Sequence, residues 1–288
     1  MIKYKLGCDI LKTRIFVSSR TNINYVKHDS SIEVLNDIIS FHSYEDYVDY
    51  VDMNDQDFYV RCKNDSTANP TFSSIPYDYL ILRIEKAVKD KVEKILFIIN
   101  DNEFELIKKI EDAISEKNDL DITLLKTKLL LYPFDYAVLE ANKEFKKDGD
   151  IEKLEAKLKD VEDRFKLYFF SPERDILPNI SKIDFDDDVL GEKRGTLYDC
   201  NKSGVILLKK YKNRYPFEYL LNAIIKETAY LNVIPFIHYS DQHSKFVYKL
   251  EKEYLNKKPN TKIIKEVLPA YYGNIYGINT LVIGFIMK

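Results

Sequence analysis

The segment Asn69-Pro70-Thr71-Phe72-Ser73-Ser74-Ile75-Pro76-Tyr77 sets three hydroxyls between two prolines, just ahead of a helical pattern. Hydroxyls, together with the unpaired backbone N–H groups of a first helical turn, can hold an anion. The simpler reading of the same residues is a helix cap supplied by Ser73 or Ser74. Asp184, Asp186, Asp187 and Asp188 form the densest acidic cluster. A calcium loop would need Gly where Val189 stands and Glu where Gly195 stands, so a solvated loop is expected there. His28, His42, His238 and His243 include no metal pair at helical spacing; His238 ends an apolar strand, facing a cleft or a hydrogen-bond partner at a sheet edge. Lys202, Lys209, Lys210, Lys212 and Arg214 decorate a hairpin, either to dock an acidic partner or phosphate or simply as its solvated face. Glycine-rich phosphate loops and the nucleophile elbow are missing. No base–nucleophile pair or metal set can be assembled, so no catalytic residue, metal or cofactor is expected.

The elements that must position these residues alternate along the first half. Ile32 to Phe41 and Lys94 to Ile99 are short, apolar and β-branched, as buried strands are. Tyr77 to Lys91 puts Leu80, Ile84, Ala87 and Val88 on one helical face. Asn100-Asp101-Asn102-Glu103 then opens a helix with a capping-box pattern, Asn at the cap and Glu three residues on. Strand and helix in alternation predict a mainly parallel sheet with crossover helices. Two helices follow, Phe134 to Lys147 ending at Gly149, and Ile151 to Phe165. Leu167-Tyr168-Phe169-Phe170 begins a new unit. Its strands at 197–199 and 205–208 flank the turn Asn201-Lys202-Ser203-Gly204, with further strands at 233–238, 261–267 and 280–286 and helices at 216–230 and 241–255. The expected architecture is therefore two α/β domains, 1–166 with a mainly parallel sheet and 167–288 with a mixed, partly antiparallel sheet and helices. The cleft between them is the default ligand site.

Composition limits the partners. Of the 288 residues 45% are hydrophobic and 32% charged, as in a folded globular chain. The 44 Lys+Arg and 47 Asp+Glu nearly cancel to −3, which gives no electrostatic reason to expect nucleic acid. Apolar runs such as Ile95–Ile99 and Leu281–Ile286 fall far short of the roughly 20 residues that cross a bilayer, so no stable membrane insertion is expected. Met1 to Cys8 ends like a lipoprotein cleavage site but lacks the apolar stretch of a leader, so Cys8 is read as the end of a first strand. Three cysteines without metal-ligand spacing suit free thiols in a reducing compartment, the cytoplasm.

Taken in order, these pieces resemble the DegV family of bacterial fatty-acid-binding proteins. Ile2 to Asp9 resembles its opening strand, and Tyr47-Val48-Asp49 through Asp52 to Phe58-Tyr59 its acidic tyrosine segment. Pro70 to Pro76 stands at its Thr-Ser-Gln-Pro loop, and Leu177 to Ile183 at its Gly-Gly-Arg segment. Gly204 to Lys212 stands at its hairpin, and His238-Tyr239-Ser240-Asp241 with Pro269 to Phe285 at its closing strands. The resemblance implies a two-domain, non-enzymatic carrier that holds a long-chain fatty acid or similar lipid between its domains and presents it to a separate fatty acid kinase. Thr71 and Ser73 keep family hydroxyls, with Phe72 between them at a usual hydroxyl position. Asn102 lies in the stretch that replaces the serine-glycine loop. Lys182 stands at the arginine, and Ile275 at the histidine between Gly273 and Gly277. The expected ligand contacts are thus Thr71, Ser73, Asn102 and Lys182 near the head group, and Phe72, Gly273, Ile275 and Tyr276 along the wall. The alternative is a diverged paralogue that keeps the fold, has lost fatty-acid binding and acts through protein–protein contacts.

Overall fold

A computed structural model of the chain describes residues 12–20, 29–42, 47–50, 53–64, 69–171, 195–201, 204–211, 217–240 and 244–288. The elements run β1 (Thr13–Ser18), β2 (Ile32–Leu35), β3 (Ile38–His42), β4 (Tyr47–Tyr50), α1 (Asp55–Asn64), β5 (Asn69–Ser73), α2 (Tyr77–Lys89), β6 (Lys94–Asn100) and α3 (Phe104–Glu116). They continue β7 (Ile122–Thr127), α4 (Leu131–Asp148), α5 (Ile151–Glu162), β8 (Phe165–Ser171), β9 (Gly195–Asn201) and β10 (Gly204–Tyr211). The last are α6 (Phe217–Thr228), β11 (Val233–Tyr239), α7 (Ser244–Lys257), β12 (Ile264–Val267), α8 (Ala270–Tyr276) and β13 (Leu281–Met287).

The chain forms two compact units. The first holds the described residues up to Asp37 together with Ser74–Val161; the second holds Ile38–Ser73 together with Glu162–Lys288. A division at 166/167 is continuous, whereas these units are not. Ile32 to Phe41, expected as one strand, breaks at Asn36-Asp37 into β2 and β3, which belong to different sheets and different units.

In the first unit the sheet is parallel throughout, in the order β2-β1-β6-β7. Its central strands are apolar on both faces, as a sheet covered on both sides requires: Ile15, Phe16 and Val17 of β1 and Leu96 to Ile99 of β6 are fully buried. Leu80, Ile84 and Ala87 of α2 and Leu106, Ile107, Ile110 and Ala113 of α3 bury their stripes against Phe16, Leu35, Ile95, Phe97 and Ile99. Two helix ends differ in chemistry. α4 stops at Gly149, whose φ of 71° is left-handed, as expected. After α2, the N–H of Lys91 bonds Val88 and that of Val92 bonds Ala87, so the left-handed position of the closing motif falls on Lys91, at φ 59°.

The second unit carries two sheets. The larger is mixed, β10-β9-β8-β13-β11-β12, antiparallel throughout except for the β11–β12 pair. The strand period of two sorts its side chains. Tyr168 and Phe170 pack with Leu221 and Ile224 of α6 and Val247, Leu250 and Tyr254 of α7. Phe169, between them, turns to the other face, where it stacks on Tyr276 of α8 at 4.5 Å. The smaller sheet is antiparallel, β4-β3-β5. Lys166 bonds Glu227 at 2.8 Å and lies 3.5 Å from Asp199, which ties α6 to the larger sheet.

Candidate functional site

Residues 70–73 form the outer strand β5 of the small sheet rather than a loop, and the alternation of that strand decides what each can do. Thr71 and Ser73 point one way and are exposed. Thr71 lies opposite Ser40, whose buried hydroxyl donates to Asp49 at 2.6 Å, so this face is polar and includes a carboxylate. Phe72 points the other way and joins a run of rings. Phe41 lies 6.0 Å from Phe58, Phe58 lies 5.7 Å from Phe72, and Phe72 lies 5.7 Å from Tyr271. Tyr271 continues to Tyr272 at 5.5 Å, and Tyr272 to Phe169 at 6.1 Å. The hydroxyls and the aromatic wall expected to serve one ligand therefore occupy opposite faces of β5. Neither Ser73 nor Ser74 caps α2: its cap is Pro76, without a side-chain bond, and the Ser74 hydroxyl accepts from Lys109 at 2.7 Å.

Gly273 and Tyr276 lie on α8, a short helix tied to α1 by two contacts. The Ala270 N–H donates to Asp55 at 2.6 Å, so Asp55 caps α8 from 215 residues away. Tyr59, whose phenol burial holds well above its usual pKa, crosses over Gly273. A Cβ on Gly273 would come within 2.6 Å of the Tyr59 ring, so glycine is required by close approach. Tyr276 is buried, and its carbonyl accepts from Ser171 at 2.5 Å and Thr280 at 2.7 Å. Ile275 is half-buried. Lys182, with the acidic cluster 184–188, lies outside the described residues, as do Cys8, Lys202, Lys212, Arg214, His28 and His243.

The first unit brings together a polar group that the sequence reading missed. Asn100 does not cap α3. Its amide donates to the Leu129 carbonyl at 2.9 Å, its side-chain oxygen accepts the Asn102 N–H at 3.0 Å, and the cap position falls to Glu103. The Asn102 side chain is exposed. Glu103 is buried and accepts from the Ser18 hydroxyl at 2.6 Å. Arg20 pairs with Asp37 at 2.6 Å and lies 3.7 Å from Glu103. Burial pushes the Glu103 carboxyl up to about 7 against the pull of Arg20 and Ser18, and raises Asp37 in the same sense. The signal available in the sequence was the apolar run Ile15-Phe16-Val17 followed by Ser18-Ser19, which marks the end of a strand. Ile2 to Asp9, expected as an opening strand, lies outside the described residues.

His238 is neither at a sheet edge nor exposed. Its strand β11 lies between β13 and β12, and the residue is fully buried. Burial lowers its pKa to about 3, so the imidazole is neutral. Glu266, beside it at 4.0 Å, is pushed up to about 8 by burial. Among the described residues no group of three His, Cys, Asp or Glu side chains could hold a metal, and no helix is long and apolar enough to cross a membrane.

Comparison with known proteins adds to this picture. No curated protein matches the chain. Solved structures do. DegV from Bacillus subtilis, described as a fatty acid binding protein, has a TM-score of 0.77 at 15% identity, covering 96% of this chain and 100% of its own. A stearic-acid-binding protein from Eubacterium ventriosum has a TM-score of 0.76 at 16% identity, covering 96% and 98%. A fatty-acid-binding DegV family protein from Thermus thermophilus has a TM-score of 0.74 at 13% identity, covering 96% and 100%. At such identities the likeness is one of fold. A family model described as "Uncharacterised protein, DegV family" matches residues 12–177, beginning beyond Asp9 and just ahead of β1. With 166 of its 288 residues so matched, the chain belongs to the DegV family.

Proposed function

We propose that the protein binds a long-chain fatty acid or a lipid of similar shape, as a carrier and not a catalyst. The support that carries most weight is fold likeness across 96% of the chain to proteins described as fatty-acid-binding, in a chain that belongs to the DegV family. Burying a dozen methylenes at about 0.8 kcal/mol each contributes on the order of 10 kcal/mol before association costs. A tail can therefore supply most of the affinity. Desolvating the carboxylate without donors would cost several kcal/mol, so the head group needs them. Thr71 and Ser73 serve as hydroxyl donors, Asn102 as an amide donor and Lys182 as a charge partner. Ile275 and Tyr276 contribute apolar lining, while Phe72, on the other face of β5, and Gly273, under the Tyr59 ring, support the wall from behind. The carrier works in the cytoplasm, where the buried thiols of Cys62 and Cys200 stay reduced, and hands the acyl carboxylate to a separate fatty acid kinase.

Titration with dodecanoic acid tests the reading. Replacing both Thr71 and Ser73 by Ala removes two hydrogen bonds to a charged group, each worth about 1.5–3 kcal/mol, and Kd should rise roughly a hundredfold or more. An unchanged Kd would remove these hydroxyls from the head-group role. No saturable binding by the unaltered protein would remove the carrier reading itself.

A further inference from the structure

The parallel sheet of the first unit has a topological switch point. The chain leaving β1 runs to β2 on one side, and the chain leaving β6 runs through α3 to β7 on the other. Open α/β sheets receive ligands in the crevice outside the carboxyl ends of their strands at such a point, which here falls between β1 and β6. Ser18 closes β1 and Glu103 opens α3 at this place.

Glu103 is only 5% exposed. One of its oxygens, Oε2, accepts the Ser18 hydroxyl at 2.6 Å. The other, Oε1, is buried and has no hydrogen-bond partner among the described residues. The surrounding charges do not serve it. Beyond β1 and β2, Arg20 pairs with Asp37 at 2.6 Å and lies 3.7 Å from Oε2. On α3, Glu105 and Lys109 pair with each other at 2.7 Å. Asp101, before the helix, has its N–H bonded to Thr127 at the end of β7, where Lys128 is exposed. A buried carboxyl oxygen lacking a donor requires a hydrogen, carried either by itself or by whatever enters the crevice.

We propose that Glu103 forms an acid pair with the carboxyl group of a bound fatty acid, Oε1 and one ligand oxygen sharing a single proton taken from solvent. This rests on the fatty-acid reading above and adds the protonation state of the bound head group. The pair carries one negative charge in place of two, which removes the repulsion an acidic crevice would otherwise exert on a carboxylate. Burial, which holds the Glu103 carboxyl near 7, makes proton uptake easy at neutral pH.

Calorimetric titration of the full chain with dodecanoic acid, in phosphate and in Tris between about pH 6 and 9, tests the pair. The difference between buffers counts protons. Below about pH 7 the free protein already holds the proton, and Kd should be flat. Above it, Kd should rise up to tenfold per pH unit, with uptake approaching one proton per ligand. Glu103→Gln, whose amide donates without a proton, should bind with a Kd that does not rise. A wild-type Kd that is flat above pH 7 with no proton uptake, or a Glu103→Gln slope equal to that of wild type, overturns the acid pair and leaves fatty-acid binding standing. No saturable binding at any pH overturns the fatty-acid reading, and the acid pair with it. The wild-type proton count decides the question even if the variant fails to fold.

Discussion

Replacing Glu103 with Gln in the ligand-free protein measures what burial of this carboxyl does to folding. Its pKa stands at about 7 in the folded protein against 4.5 for an unburied carboxyl. Between these values the folded state holds the proton more firmly than the unfolded chain does. The group's contribution is therefore fully present below about pH 4.5 and is lost as pH rises through about 7. At about 1.36 kcal/mol per pH unit the full effect is about 3 kcal/mol. Gln does not titrate and can still accept from Ser18. The variant should therefore gain on wild type with pH, the difference in unfolding free energy growing by about 3 kcal/mol between about pH 4.5 and 8. Glu266, pushed up to about 8, and His238, lowered to about 3, add their own pH dependence to both proteins, and this cancels in the difference. Urea unfolding followed by circular dichroism at several pH values provides the assay. A difference that stays constant across this range, or shrinks as pH rises, would refute the reasoning.

Four further substitutions probe particular contacts. Gly273→Ala drives a methyl into the Tyr59 ring and should destabilise the protein by about 1–3 kcal/mol in urea unfolding; a loss under about 0.5 kcal/mol would deny the close approach. Phe72→Ala should cost about 2–3 kcal/mol because its ring joins those of Phe58 and Tyr271, whereas exposed Thr71→Ala should stay within about 0.5 kcal/mol; equal costs would contradict the two-faced reading of β5. Lys91→Gly should raise stability by about 1 kcal/mol, because glycine adopts the left-handed end of α2 without strain, and thermal unfolding would detect the gain.

Local pattern was the legible part of this chain. β6 and β13 stand out because their apolar runs are continuous, α2 because its stripe repeats at helical spacing, and the end of α4 because Gly149 follows it. Contacts made at long range were not legible. Nothing in Ile32 to Phe41 marks that two adjoining apolar pieces serve different sheets; only the pairing of β3 with β4 and β5 decides it. α8 is seven residues long and contains a glycine, a weak helix in isolation. It is held by Asp55 and Tyr59, more than 200 residues earlier. Asn100 reads as a cap, but its amide finds the Leu129 carbonyl instead. Ser18 and Glu103 stand 85 residues apart, so their bond left no trace in spacing. The hydroxyls of Thr71 and Ser73 stand out in the sequence, between two prolines ahead of a helix, while their separation from Phe72 follows from strand alternation, which becomes visible only once residues 69–73 are seen to be a strand.

Native mass spectrometry of the purified chain, with organic extraction of anything bound, tests the central claim most directly. A carrier should retain one long-chain fatty acid per protein, or take one up when it is added to the stripped chain. A mass equal to that of the bare polypeptide, unchanged after incubation with saturated and unsaturated long-chain acids, would contradict it.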